Sequence, residues 1–219
     1  MNSKRPQTAP PANQPARRRV TDYDRLVDDL ACTYEGIFSR DSIVKAVADA
    51  RAALEPTATI KDFLPILVSR FAREQLTAAA QADGRLIKPV PELLFICVQN
   101  AGRSQMAAAL AQHLSAGKVH VRSAGSKPAD KINPMAVQVL AERGIILTEA
   151  YPKPLTNEVV HAADVIVTMG CGDACPIYPG KRYLDWNVAD PNDRPIERVR
   201  DIRDDLQARI TALLRDLNI

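Results

Sequence analysis

Only four cysteines, Cys32, Cys97, Cys171 and Cys175, occur in 219 residues. That is too few to staple a secreted disulfide scaffold, and in a reducing compartment such thiols serve as core fillers, metal ligands or reactive groups. Histidine is scarcer still. His113, His120 and His161 show no ligand spacing, and Cys171 and Cys175 have no second cysteine pair to complete a zinc site, so no metal is expected. Long apolar runs are also missing: none approaches the roughly 20 residues that a membrane span requires. "RRR" at 17–19 is followed by "VTDYDRLVDD", which is too charged for an export signal, so a cytoplasmic location is expected. Charge of one sign is absent too. The net charge of +3 owes much to the first twenty residues, leaving the remainder near neutral and without the basic face of a nucleic-acid binder.

What is present falls into two patterns. Residues 1–20, rich in Pro, Gln, Asn and basic side chains, have almost nothing to bury and read as a disordered tail. From there a helical period takes over. Tyr23, Leu26, Val27, Leu30, Ala31 and Tyr34 define one amphipathic helix; Ile43, Val47, Ala50 and Leu54 define a second behind a Ser39 cap. A third runs through Leu64, Leu67, Val68, Phe71 and Gln75, with Pro65 tolerated in its first turn. Residues 21–82 therefore read as a three-helix bundle, with Cys32 in its core beside Ala31 and no catalytic constellation. Gly and Pro mark residues 83–90 as a linker.

Over residues 91–219 the period changes. "LLFICV", "KVHVRSAG", "DVIVTM" and "KRYLDW" read as strands. Helices are expected at 103–116, 134–143 and 156–163, with a long closing one in "IERVRDIRDDLQARITALLRDL". Strands alternating with helices imply an α/β domain with a mostly parallel sheet covered on both faces. Sites in such folds lie at the carboxyl ends of strands, where Cys97 and "MGCG" both fall.

Cys97 opens the stretch C-V-Q-N-A-G-R-S between a strand and a helix. The backbone amides of Val98, Gln99, Asn100, Ala101 and Gly102, together with the helix N-terminus, make an oxyanion cradle. Arg103 closes on that anion with a planar two-point fork. The same field favours thiolate over thiol at Cys97, and the thiolate is the nucleophilic form. Ser104 can donate a hydroxyl hydrogen bond to the sulfur, and Asn100 can brace the loop through its side-chain amide.

"CVQNAGRS" resembles the anion-binding loop of the low-molecular-weight protein tyrosine phosphatase fold, which also houses a class of arsenate reductases. "DWNVADP" is similar to that family's late Asp-Pro loop, whose Asp protonates the leaving group; here that maps to Asp190. The resemblance covers about residues 90–219, includes "SAG" at 123–125, and implies a four-stranded parallel sheet preceded here by the small all-α bundle. A bundle ahead of the catalytic domain resembles a fused form of the reductase; docking to a reductant, self-association and stabilisation of the catalytic face are all open as its purpose.

Phosphatase and reductase chemistry begin alike, with a thiolate attacking a tetrahedral oxyanion. A phosphatase then needs only water, whereas a reductase needs two electrons, which thiols supply. The spacing C-x3-C at Cys171 and Cys175 gives about 6 Å of helical rise, inside the roughly 4.4–6.8 Å Cα range of a disulfide, and Gly170 and Gly172 loosen the backbone there. Structural cysteines and a metal- or arsenite-sensing pair are the competing readings. By resemblance to thioredoxin-linked arsenate reductases, Cys97 attacks arsenate, Cys171 attacks Cys97 to release arsenite, and Cys175 moves the disulfide to Cys171–Cys175 for thioredoxin to reduce. A glutathione- or mycothiol-coupled enzyme would need Cys97 alone. Two departures bear on substrate and ions. Asn192 stands where tyrosine phosphatases carry an aromatic residue after Asp-Pro, and "YPKPL" offers no carboxylate for a potassium site, with Lys153 as the positive charge there instead. The alternative to arsenate reduction is a low-molecular-weight phosphatase using Cys97, Arg103 and Asp190.

Overall fold

In a computed structural model of the chain, the structure describes residues 21–58, 61–170 and 175–219. Three helices come first: α1 (Asp22–Thr33), α2 (Arg40–Leu54) and α3 (Leu64–Ala82), the last entered through a 3-10 turn at Lys61–Phe63. Their starts are written in the sequence. Thr21 caps α1 in a capping box, its hydroxyl accepting from the Asp24 amide at 3.2 Å while the Asp24 carboxylate accepts the Thr21 amide at 2.8 Å. Ser39 caps α2, and Pro65 lies in the first turn of α3, where its missing N–H costs no hydrogen bond. Leu30, Ile43, Val68 and Phe71 form the centre of this bundle.

Cys32 corrects one expectation, because it is exposed. Two residues from fully buried Leu30, it is rotated by about 200° around the helix, away from the stripe that Val27, Leu30 and Tyr34 share. The period, not the neighbouring Ala31, decides its side.

After the bundle come β1 (Glu92–Cys97), α4 (Arg103–Ser115), β2 (His120–Gly125), α5 (Pro134–Ala141), α6 (Asn157–Ala162), β3 (Val165–Met169), β4 (Arg182–Asp185) and α7 (Ile196–Asp216). The four strands pair in parallel in the order β2-β1-β3-β4. All six residues of β1 are buried, as a strand covered on both faces requires. Leu93, Phe95, Val165 and Val167 pack with Met106, Leu110, Val199 and Leu206 in the core under α4 and α7. Leu94, Ile96 and Ile166 pack on the other face with Val159 and Val160 of α6 and with Ala78 of α3. The helical region thus supplies part of the cover for the second face of the sheet. Register aligns Cys97 with Gly125 and with Met169, so three strands end together at the same edge. α5 stops at Ala141, two residues short of the expected end, in a turn that leads to Gly144 at φ 76°. No helix of the described residues is long and apolar enough to cross a membrane.

Candidate active site

The loop from Cys97 to Arg103 is shaped by where its carbonyls go. Cys97 O accepts from Ser126 N, Val98 O from Lys127 N, Gln99 O from Ala129 N and Ala101 O from Asn133 N, at 2.8–3.2 Å. Asn100 O accepts from Gln105 Nε2 at 3.1 Å. Because a trans peptide holds C=O and the next N–H on opposite sides, five outward carbonyls turn the amides of residues 98–102 to the inner side. Asn100 makes the bend with φ 47°, the left-handed conformation of an anion-binding nest. Gly125, the last residue of "SAG", is required by this fit: a Cβ there would lie 2.8 Å from Val98 O and 2.9 Å from Asn100 N.

Cys97 is buried at the end of β1, 2% exposed. Its sulfur receives the Asn100 amide at 3.2 Å and lies 3.0 Å from Ser104 Oγ. Asn100 Nδ2 donates to that same hydroxyl oxygen at 2.8 Å, which leaves the hydroxyl hydrogen to point at sulfur. The Asn100 amide is itself fixed, since its Oδ1 accepts Lys153 N at 3.0 Å and Gln105 Nε2 at 3.1 Å.

Arg103 opens α4, and its side chain is 12% exposed. Nη2 binds Asp190 Oδ2 at 2.7 Å and Nη1 donates to Val188 O at 3.4 Å. Gly170, at φ 71°, lets the end of β3 approach: a Cβ there would stand 2.9 Å from Arg103 Nη1. Asp190 is oriented from its other side by the Asn192 amide, which donates to Oδ1 at 2.9 Å. Asn192 spans the cleft mouth, accepting from Asn133 Nδ2 at 3.2 Å and donating to Gln99 Oε1 at 3.4 Å. Cys97, Gln99, Gly102, Arg103, Asn133, Asp190, Pro191 and Asn192 line one small polar cleft.

Four of the residues singled out in the sequence, Cys97, Arg103, Ser104 and Asp190, therefore meet. Cys175 does not join them; it is buried in the core on the α6 face of the sheet, among Leu94, Ile96 and Val159. Cys171 lies outside the described residues. Lys153 meets the loop through its backbone N–H, whereas its ammonium pairs with Glu74 of α3 at 2.5 Å. Glu74 meets a partner 79 residues away, which no local pattern discloses; Gln105 reaches Asn100 five residues back and Tyr151 46 residues on, and a polar residue on the buried side of α4 is its one signal in the sequence. No group of three or more potential metal-ligating side chains occurs among the described residues.

The model of the family described as low molecular weight phosphotyrosine protein phosphatase matches residues 92–219, and that of a protein-tyrosine-phosphatase-like N-terminal domain matches 23–80. A solved thioredoxin-dependent arsenate reductase from Corynebacterium glutamicum is 44% identical, with a TM-score of 0.80, over 89% of this chain and 95% of that one. A putative arsenate reductase from Halobacterium salinarum is 34% identical over 57% of this chain and 91% of its own length. The solved YwlE arginine phosphatase from Geobacillus stearothermophilus is 30% identical, with a TM-score of 0.52, over 58% of this chain and 93% of that one.

Proposed function

Because the chain belongs to the low molecular weight phosphotyrosine protein phosphatase family, we propose that its cleft binds arsenate and that three of its cysteines reduce it to arsenite at the expense of thioredoxin. The cradle of residues 98–102 and the Arg103 fork hold the oxyanion. The Cys97 thiolate forms an S–As bond while Asp190 protonates the oxygen that leaves as water. Cys171 then attacks the Cys97 sulfur. The electrons of the broken S–As bond pass to arsenic, which leaves as arsenite, and a Cys97–Cys171 disulfide remains. Cys175 attacks Cys171, freeing Cys97 and leaving Cys171–Cys175, which the dithiol of thioredoxin reduces. A relay of this kind suits the reducing cytoplasm.

The observation that carries this reading is the likeness to the Corynebacterium reductase, which at 44% identity extends over both the helical region and the catalytic part. Asn192 adds to it: a polar residue tied to Gln99 and Asn133 offers no ring for an aromatic phosphoester to stack on. Phosphatase activity is the second reading, supported by the YwlE likeness and by a Cys-Arg-Asp set that serves either chemistry. The test is arsenate-dependent NADPH oxidation with thioredoxin and its reductase, for wild type and for Cys97→Ser, Cys171→Ser and Cys175→Ser. Turnover should vanish in all three. Wild-type turnover in Cys171→Ser would overturn the relay, and phosphoester hydrolysis without arsenate reduction would establish the phosphatase reading instead.

A further inference from the structure

α3 grips one particular stretch of the catalytic part. Arg70 Nη2 binds Glu149 Oε1 at 3.0 Å, Glu74 Oε2 binds Lys153 Nζ at 2.5 Å, and the Thr156 hydroxyl donates to Gln75 Oε1. The three contacts fall along residues 149–156, which are also tied to the active-site loop from their other side. Gln105 Nε2, which holds Asn100, donates to Tyr151 O at 3.0 Å, and Lys153 N donates to Asn100 Oδ1 at 3.0 Å. Lys153 O accepts from Gly125 N at 2.9 Å, and Leu155 N donates to Gly125 O at 2.9 Å.

The helix that holds this strap is itself fixed to the sheet. Glu92 of β1 and Arg122 of β2, both buried, bind each other at 3.1 Å and bind Gln81 of α3 at 2.9 Å each. Arg122 also donates to Glu74 O at 3.2 Å. Of the two ion pairs, Glu74–Lys153 is largely buried, with side chains 16% and 15% exposed, whereas the Arg70–Glu149 pair is open to water. A half-dry ion pair resists screening that weakens an exposed one.

We propose that Glu74 is a positioning residue for the nucleophile: through Lys153 it sets the side chain of Asn100, and through Asn100 the Ser104 hydroxyl that donates to the Cys97 sulfur. The order of contacts is Glu74, Lys153, Asn100, Ser104, Cys97, and each link is one of the distances above. This gives the helical region a part in the chemistry, in addition to covering the sheet. It rests on Cys97 being the nucleophile but not on arsenate being the substrate. Arg103 and Asp190 face the same cleft from α4 and from the loop before α7 and do not touch Glu74; Glu74 does lie 3.9 Å from Arg122, an ion pair outside this chain of contacts.

The test is the rate at which iodoacetamide alkylates Cys97, followed by peptide mapping across pH in the full-length protein. Glu74→Gln keeps the shape and removes the charge. Alkylation at pH 7 should slow by about fivefold, the effect of one hydrogen bond, and the pH profile should move upward because the thiolate has lost a donor. Lys153→Met, which leaves Glu74 beside Arg122, should slow it similarly and covers the case in which Glu74→Gln fails to fold. In an Asn100→Ala background, Glu74→Gln should have no further effect. A lowered melting temperature with a wild-type alkylation profile would reduce Glu74 to a structural clip and overturn the proposal, as would full additivity with Asn100→Ala. Loss of arsenate turnover with unchanged alkylation would count against this proposal alone, whereas normal Glu74-dependent alkylation in an enzyme inert toward arsenate would count against the substrate.

Discussion

Arg103 Nη2 lies 2.7 Å from Asp190 Oδ2. In the proposed mechanism the guanidinium that forks the oxyanion is thus also the partner of the carboxylate that protonates the departing oxygen, and the two uses compete. Asp190→Ala removes a negative charge from the cleft and frees the fork. We expect phosphate, used as an unreactive oxyanion, to bind more tightly, while kcat falls by about 10²–10⁴-fold for want of a proton donor. Inhibition constants for phosphate measured beside kcat separate the two effects. Weaker phosphate binding together with lost turnover would mean that Asp190 holds the loop in place rather than serving the leaving group.

Gly102 and Pro191 bring the Cys97–Arg103 loop and the Asp-Pro loop into contact. A Cβ on Gly102 would stand 2.6 Å from Pro191 Cγ. Gly102→Ala should therefore act by pushing the Asp-Pro loop away. A drop in kcat with a stability cost of about 1–3 kcal/mol is expected, the range for overpacking. Urea unfolding and steady-state kinetics check it, and wild-type kinetics would show that the loop yields freely.

The parts of this site that the sequence disclosed are those whose chemistry is contiguous. Cys97 to Ser104 lie within one strand, one loop and one helix start, so their meeting follows from local geometry alone. Asp190 was legible through its motif and its place between a strand and the last helix. What holds the loop was not legible, because Lys153 comes from 53 residues beyond Asn100, and Glu74 from 79 residues before Lys153, on a helix whose apolar period reports only its buried stripe. Cys32 was misread for a related reason: adjacency to an alanine was given weight that belongs to the 3.6-residue period.

Exposed Cys32 should accordingly be dispensable. Cys32→Ser changes stability by no more than about 0.5 kcal/mol, as for other surface positions, and leaves arsenate turnover at the wild-type level. Its thiol should be among the first alkylated under native conditions, well ahead of buried Cys175. Mass spectrometry of a timed alkylation series reads this order, and protection of Cys32 would reveal a covering surface on α1.

Glu92 predicts how the whole assembly responds to acid. Burial alone would raise its pKa and favour the neutral form, but the His120 hydrogen bond at 2.6 Å and the charge of Arg122 outweigh this and hold it below the ordinary value of 4.5. Folding therefore favours the carboxylate. The stability this confers is complete above about pH 4.5 and is lost as pH falls from there through the lower value of the folded state. Glu92→Gln should cost about 3 kcal/mol at neutral pH, because buried Arg122 loses its closest anion, and should flatten the acid limb of the stability curve. Since Glu92 also binds Gln81, the loss should loosen α3 against the sheet first. Urea unfolding between pH 3 and 7, with hydrogen exchange in α3 followed alongside, tests both statements. An acid limb as steep in Glu92→Gln as in wild type would move the origin of acid sensitivity to other carboxylates.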